Sequence, residues 1–159
     1  MTKALLLRQA TASLLAVVVL SACVSKQVGS TAGSPAAGSV APTLVLEHFL
    51  SAANAAASND AEGIRAMGRL FGTREGPLSN RESQRNVEQR MFVLANLLRH
   101  EQYQIQGEQI VPGRMDEAKR FMVELQLRNR TVVVPFTLVL SKGGQWLVEE
   151  FDAEKITGR

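Results

Sequence analysis

Apolar residues recur at helical spacing from Pro42 to about position 100 and at every second position from there to the end. In "PTLVLEHFLSAANAAAS", Leu46, Phe49, Leu50, Ala53 and Ala57 follow i, i+3, i+4, i+7, i+11, the stripe of an amphipathic helix. Pro42 suits the first helical turn, where no N–H is needed. Ser58-Asn59-Asp60 breaks the stripe, and "NDAEGIRAMGRLFG" restarts it with Ile64, Met67 and Phe71. Asn59 is the expected cap, with Asp60 and Glu62 in the first turn, where the helix dipole favours acids. Gly72 suits a left-handed stop. Gly63 and Gly68 either weaken this helix by about 1 kcal/mol each relative to alanine or permit close packing. "GTREGPLS" reads as a loop, and Ser79-x-x-Glu82 as a capping box. A third helix is then expected to about His100. Val87, Met91, Leu94, Ala95 and Leu98 form its apolar side, and Arg81, Arg85, Glu88 and Arg99 its charged side.

After Glu101 the period changes to two. Tyr103 and Ile105 alternate in "YQIQGEQIV", with a bulge expected at Gly107. Phe121, Val123, Leu125 and Leu127 alternate with Met122, Glu124, Gln126 and Arg128. "TVVVPFTLVL" is apolar on both faces, so it reads as central or doubly covered. Pro135 inside it demands a bulge or an unpaired position. "SKGGQ" is a hairpin turn before the last strand, "WLVEEF", and a short tail follows.

Three N-terminal helices followed by a four-stranded antiparallel meander predict an α+β domain over 42–159, with helices on one sheet face. This order, with the ending "GGQWLVEEFD", resembles the nuclear transport factor 2-like cone across residues 42–155. In that family N-terminal helices pack into a curved sheet. The family usually carries a short hairpin between its helices, and no such pattern stands out here. A cystatin-like helix-on-sheet fold is the alternative.

The N-terminus follows a different pattern. Lys3 and Arg8 precede a 13-residue apolar run, Ala10 to Ala22. This is too short for a membrane span of about 20 residues and fits an export signal. The chain's one cysteine, Cys23, ends the run and cannot form an intramolecular disulfide. Leu20-Ser21-Ala22-Cys23 resembles the lipobox of bacterial lipoproteins. The resemblance implies recognition of Leu20, Ser21 and Ala22 by a signal peptidase, cleavage before Cys23 and diacylglycerol on its sulfur. Residues 1–22 are then a signal peptide. Residues 23–41, rich in Gly, Ser, Ala and Pro, are a flexible tether, 19 of them spanning about 25 Å. No aspartate follows Cys23. By the same resemblance this favours the periplasmic side of the outer membrane, or the outer face of the plasma membrane where there is only one membrane.

The anchor changes how the charge is read. The formal charge is +3, but without Lys3 and Arg8 the chain has 16 basic and 15 acidic residues. No nucleic-acid partner is expected. Residues 61–100 hold seven arginines and four acids, which read as solvated helix faces. The chain carries no G-x-S-x-G, H-E-x-x-H or phosphate-binding glycine loop. Its two histidines, His48 and His100, are scattered, so neither a metal site nor a cofactor is expected. His100 is expected in the last turn of the third helix, partly protonated against the dipole.

The expected function is a non-enzymatic, lipid-anchored envelope module that binds an apolar small ligand or a protein partner. Two alternatives stand beside it. One is a cone-type isomerase or dehydratase using Tyr103 and His48. The other is a structural lipoprotein that dimerises through its sheet face.

Overall fold

The computed structural model describes residues 40–114 and 117–158. The segment expected as a signal peptide, Leu20, Ser21, Ala22, Cys23 and all but the last two residues of the expected tether lie outside the described residues.

Helix α1 spans Pro42–Ala57 and starts with proline at the position where a helix lacks N–H partners. Leu46, Phe49, Leu50 and Ala53 are fully buried, as the stripe predicts. Helix α2, Ala61–Leu70, follows after a short break. Its cap is Asp60 rather than Asn59: the Asp60 carboxylate accepts the Glu62 N–H at 3.0 Å. Asn59 instead makes the turn, with φ of 64°. Gly63 and Gly68 serve close packing. A Cβ on Gly63 would lie 2.6 Å from the Ala56 nitrogen of α1, and one on Gly68 would lie 2.6 Å from Val87 Cγ1.

Two further expectations need correction. Gly72 does not stop α2 in a left-handed turn; it begins strand β1, Gly72–Thr73, which pairs with β2, Gly76–Pro77. The segment expected as a loop is therefore a small hairpin. Gly72 is required there because a side chain would meet the Gly76 carbonyl and Leu147. Nor does Ser79 cap the third helix, because Leu78–Asn80 form a 3-10 turn. Helix α3 spans Gln84–Leu97 with Ser83 as cap, its hydroxyl accepting the Asn86 N–H. It ends three residues before His100.

The main sheet has the order β3-β4-β5-β6 and is antiparallel throughout. Its strands are Gln102–Ile110, Ala118–Leu127, Arg130–Leu140 and Trp146–Phe151. The bulge in β3 falls between Ile105 and Gly107, as expected. Pro135 needs no bulge of its own. Its carbonyl accepts the Asp152 N–H at 3.2 Å, just past the last β5–β6 pair, Phe136–Phe151. Proline's missing donor thus costs no ladder bond. The tail is not plain coil: Ala153–Thr157 form a fourth helix, α4, capped by Asp152 and stopped by Gly158 at φ 72°. Arg130 donates to the Ile156 carbonyl at its end.

The fold class is α+β. Phe121, Val123 and Leu125 of β4 and Val134, Phe136 and Leu138 of β5 share one face and join the helices in a single apolar core. Each such side chain contributes on the order of 1.5–3 kcal/mol on burial. Val111, Ala118, Val139 and Leu147 are also buried, but outside that cluster. Cross-strand pairing puts Ala118, Val139 and Leu147 on the opposite face. There Arg114, on the β3–β4 connection, reaches Glu149 of β6 with two hydrogen bonds of 2.8 and 3.2 Å. The connection therefore crosses this end of the outer face. Farther along the same face Met122 and Pro135 are half-buried and Val133 is exposed.

Candidate functional site

The space between helices and sheet is filled by side chains. Phe49, Phe121, Phe136, Leu50, Met67 and Met91 meet there, none more than 2% exposed. The depressions described below are open surface grooves.

Tyr103 and His48 are not brought together. His48 is exposed on α1 and lines the α1–α2 groove. Tyr103, at the start of β3, lines a different depression with Gln102, Gln104, Glu124 and Gln126. Its ring meets His100 edge-on, with centroids 5.5 Å apart. Burial raises the Tyr103 hydroxyl above its ordinary value, and the Glu47 carboxylate adds to the effect. A hydroxyl held in its neutral form is poorly suited to act as a base.

His100 is buried, against the expectation of a partly protonated residue in a helix turn. Its Nδ1 lies 2.8 Å from the Leu98 carbonyl, which can only accept, so Nδ1 carries the proton. Burial lowers the imidazole pKa, and the Leu98 bond offsets this in part. Asn54 of α1 fixes the His100 backbone from the other side with two hydrogen bonds. The sequence reading missed Asn54; its one signal was a lone amide inside "AANAAA". His100, Tyr103 and Asn54 together form a joint between α1, the end of α3 and β3.

The α1–α2 groove encloses about 530 Å³. Ala52, Ala55, Gly63 and Ala66 line its apolar part, and His48, Asp60, Glu62, Arg69 and Gln145 its polar part. Arg69 and then Arg65 hold the Glu62 carboxyl below its ordinary range through hydrogen bonds. Glu62 is thus committed as an anion and is no proton donor near neutral pH. Asp60 is occupied as the α2 cap. Ser51 and Leu70 complete the lining of this groove.

The outer sheet face offers a broader surface. Met122 and Pro135 pair across β4 and β5 and are half-buried, and Val133 beside them is 38% exposed. Arg120, Thr137, Glu150 and Asp152 continue the face as a polar pocket of about 290 Å³. Thr137 donates to Glu150 at 3.1 Å. Among the described residues no three His, Cys, Asp or Glu side chains gather as a metal site. No helix among them is long and apolar enough to cross a membrane. Comparison with protein-family models, curated proteins and solved structures finds no match for this chain.

Proposed function

We propose that this chain is a lipid-anchored protein of the bacterial cell envelope whose α+β domain is a non-enzymatic module for binding a protein partner. The anchor is Cys23, reached through the tether of residues 23–41. The domain is of the nuclear transport factor 2-like kind. Helices on one face of a four-stranded meander support that fold, as does the β1–β2 hairpin between α2 and α3.

The observation that carries the binding role is the contrast between the two sheet faces. The inner face is closed by Phe49, Phe121 and Phe136, which leaves an interior ligand no room. The outer face presents Met122, Val133 and Pro135 with polar groups around them, the composition of a contact surface. A partner protein therefore fits better than an apolar small molecule or an enclosed reaction.

Mass spectrometry of the mature chain from cells tests the anchor. A diacylglyceryl-modified N-terminal Cys23 is expected, and Cys23→Ser should move the protein out of the membrane fraction. Retention of the signal, or an unmodified thiol, overturns the anchor. Cross-linking from Val133 in intact cells tests the module: cross-links to another protein are expected. A bound apolar molecule released by solvent extraction of the native protein would overturn the partner reading in favour of a ligand.

A further inference from the structure

We propose that strand β3 pairs antiparallel with β3 of a second copy of this chain, about a two-fold axis at Gln104. This joins the two sheets edge to edge and is independent of the outer-face reading above.

The two edges of the sheet are unlike. The β6 edge is occupied, because Phe71 forms a parallel bridge to Val148 and the β1–β2 hairpin packs beside it. The β3 edge has no strand neighbour among the described residues, so none of them forms a ladder with its outward backbone donors and acceptors. Eight of its nine residues are exposed, and Ile105 is half-buried. Proteins usually protect such an edge with lysine, proline or inward charge. Here Gln102 to Gly107 carry no charge and no proline, on a chain otherwise rich in surface ion pairs. The first charged residue, Glu108, comes after the bulge and is bound to Lys119.

The segment is also complementary to itself. A two-fold at Gln104 sets Tyr103 opposite Ile105 of the second copy, an aromatic–β-branched pair that stabilises antiparallel strands. The same axis sets Gln102 opposite Gln106 and Gln104 opposite itself. Gln106 donates to Glu124, and Gln104 pairs with Glu124 across the ladder, which places both amides on the outer face. The polar and apolar rows of the two copies thus coincide, and no like charges meet. A lysine- or acid-bearing partner strand gains nothing from this uncharged edge, whereas a second copy matches it row for row.

The full chain carrying Cys23→Ser supplies a background without thiols. In it, Gln104→Cys should give a covalent dimer under mild oxidation, since directly opposed residues lie within disulfide reach. Val133→Cys, on the sheet face, should not. Sedimentation over a concentration series should show a dimer whose dissociation constant rises tenfold or more in Gln104→Lys. Mixing Gln104→Lys with Gln104→Glu should restore it. A monomer at all concentrations overturns the proposal. So does a dimer that cross-links through Val133→Cys and not through Gln104→Cys, which would place the contact on the face.

Discussion

Asn54 and His100, 46 residues apart, are joined by a reciprocal pair of hydrogen bonds. The Asn54 amide donates to the His100 carbonyl at 3.0 Å, and its oxygen accepts the His100 N–H at 3.1 Å. This satisfies the backbone where the chain leaves α3 and enters β3, a point too irregular for ladder bonds. It also ties α1 to the segment that enters β3.

Asn54→Ala removes both partners and leaves two backbone groups unpaired in a partly buried place. A loss of about 1–3 kcal/mol is expected in urea unfolding. Asn54→Asp keeps the acceptor but loses the donor, so it should also destabilise. A change within experimental error for both variants would contradict the locking role.

Protonation of His100 should make stability depend on pH. Its folded-state pKa lies below the ordinary 6.5, so between these values the unfolded chain binds more protons. Stability from this source is complete above pH 6.5 and is lost as pH falls through the folded-state value. The slope is at most about 1.4 kcal/mol per pH unit. Glu62 and Glu75 are held below their ordinary 4.5 by hydrogen bonds to Arg69 and Lys142, so their protonation belongs to more acidic conditions. Unfolding free energies at pH 7 and pH 5 should differ more for the natural chain than for His100→Gln. Equal differences would remove His100 as the cause.

Gly63→Ala should destabilise by about 1–3 kcal/mol, because the new methyl meets the backbone of α1 at Ala56. Backbone cannot rotate away as a side chain can. Gly107→Ala is the matched comparison: a Cβ there meets nothing within 4 Å. Its effect on the thermal midpoint should be small. The reverse order of the two would mean that α1 and α2 are not held at this distance.

The Arg114–Glu149 pair ties the β3–β4 connection over the sheet's outer end. Both side chains are partly exposed, so Glu149→Gln should cost no more than about 1 kcal/mol globally. The local effect should be larger. Proteolytic cleavage near Arg114 should speed up, since the connection loses its cross-sheet tie. Unchanged cleavage would show that Val111 and its neighbours hold the connection without the ion pair.

The helices and strands were legible where periodicity is strong. The α1 stripe at Leu46, Phe49, Leu50 and Ala53 and the β4 row at Phe121, Val123 and Leu125 are buried as their spacing requires. The β1–β2 hairpin was not legible, because each strand has two residues, too few to show alternation. The boundary of α3 was misplaced for a related reason. Ser79 and Ser83 each offer a capping hydroxyl, and only the 3-10 turn at Leu78–Asn80 decides between them. Pairing Tyr103 with His48 failed because residue type carries no partner information; the fold places His100 against Tyr103 instead.

By itself the sequence determined what is local: two hydrophobic periods, their order, and hence an α+β chain with helices before strands. Those features follow from the geometry of a single element and need no distant contact. The tertiary structure decided what depends on approach between remote segments. It closed the sheet's inner face with Phe49, Phe121 and Phe136, left Val133 of the outer face exposed and β3 at the sheet edge among the described residues, and buried His100 while Asn54 holds its backbone. Burial and pairing belong to the whole packed chain, so only the packed chain could show which of its surfaces stay exposed.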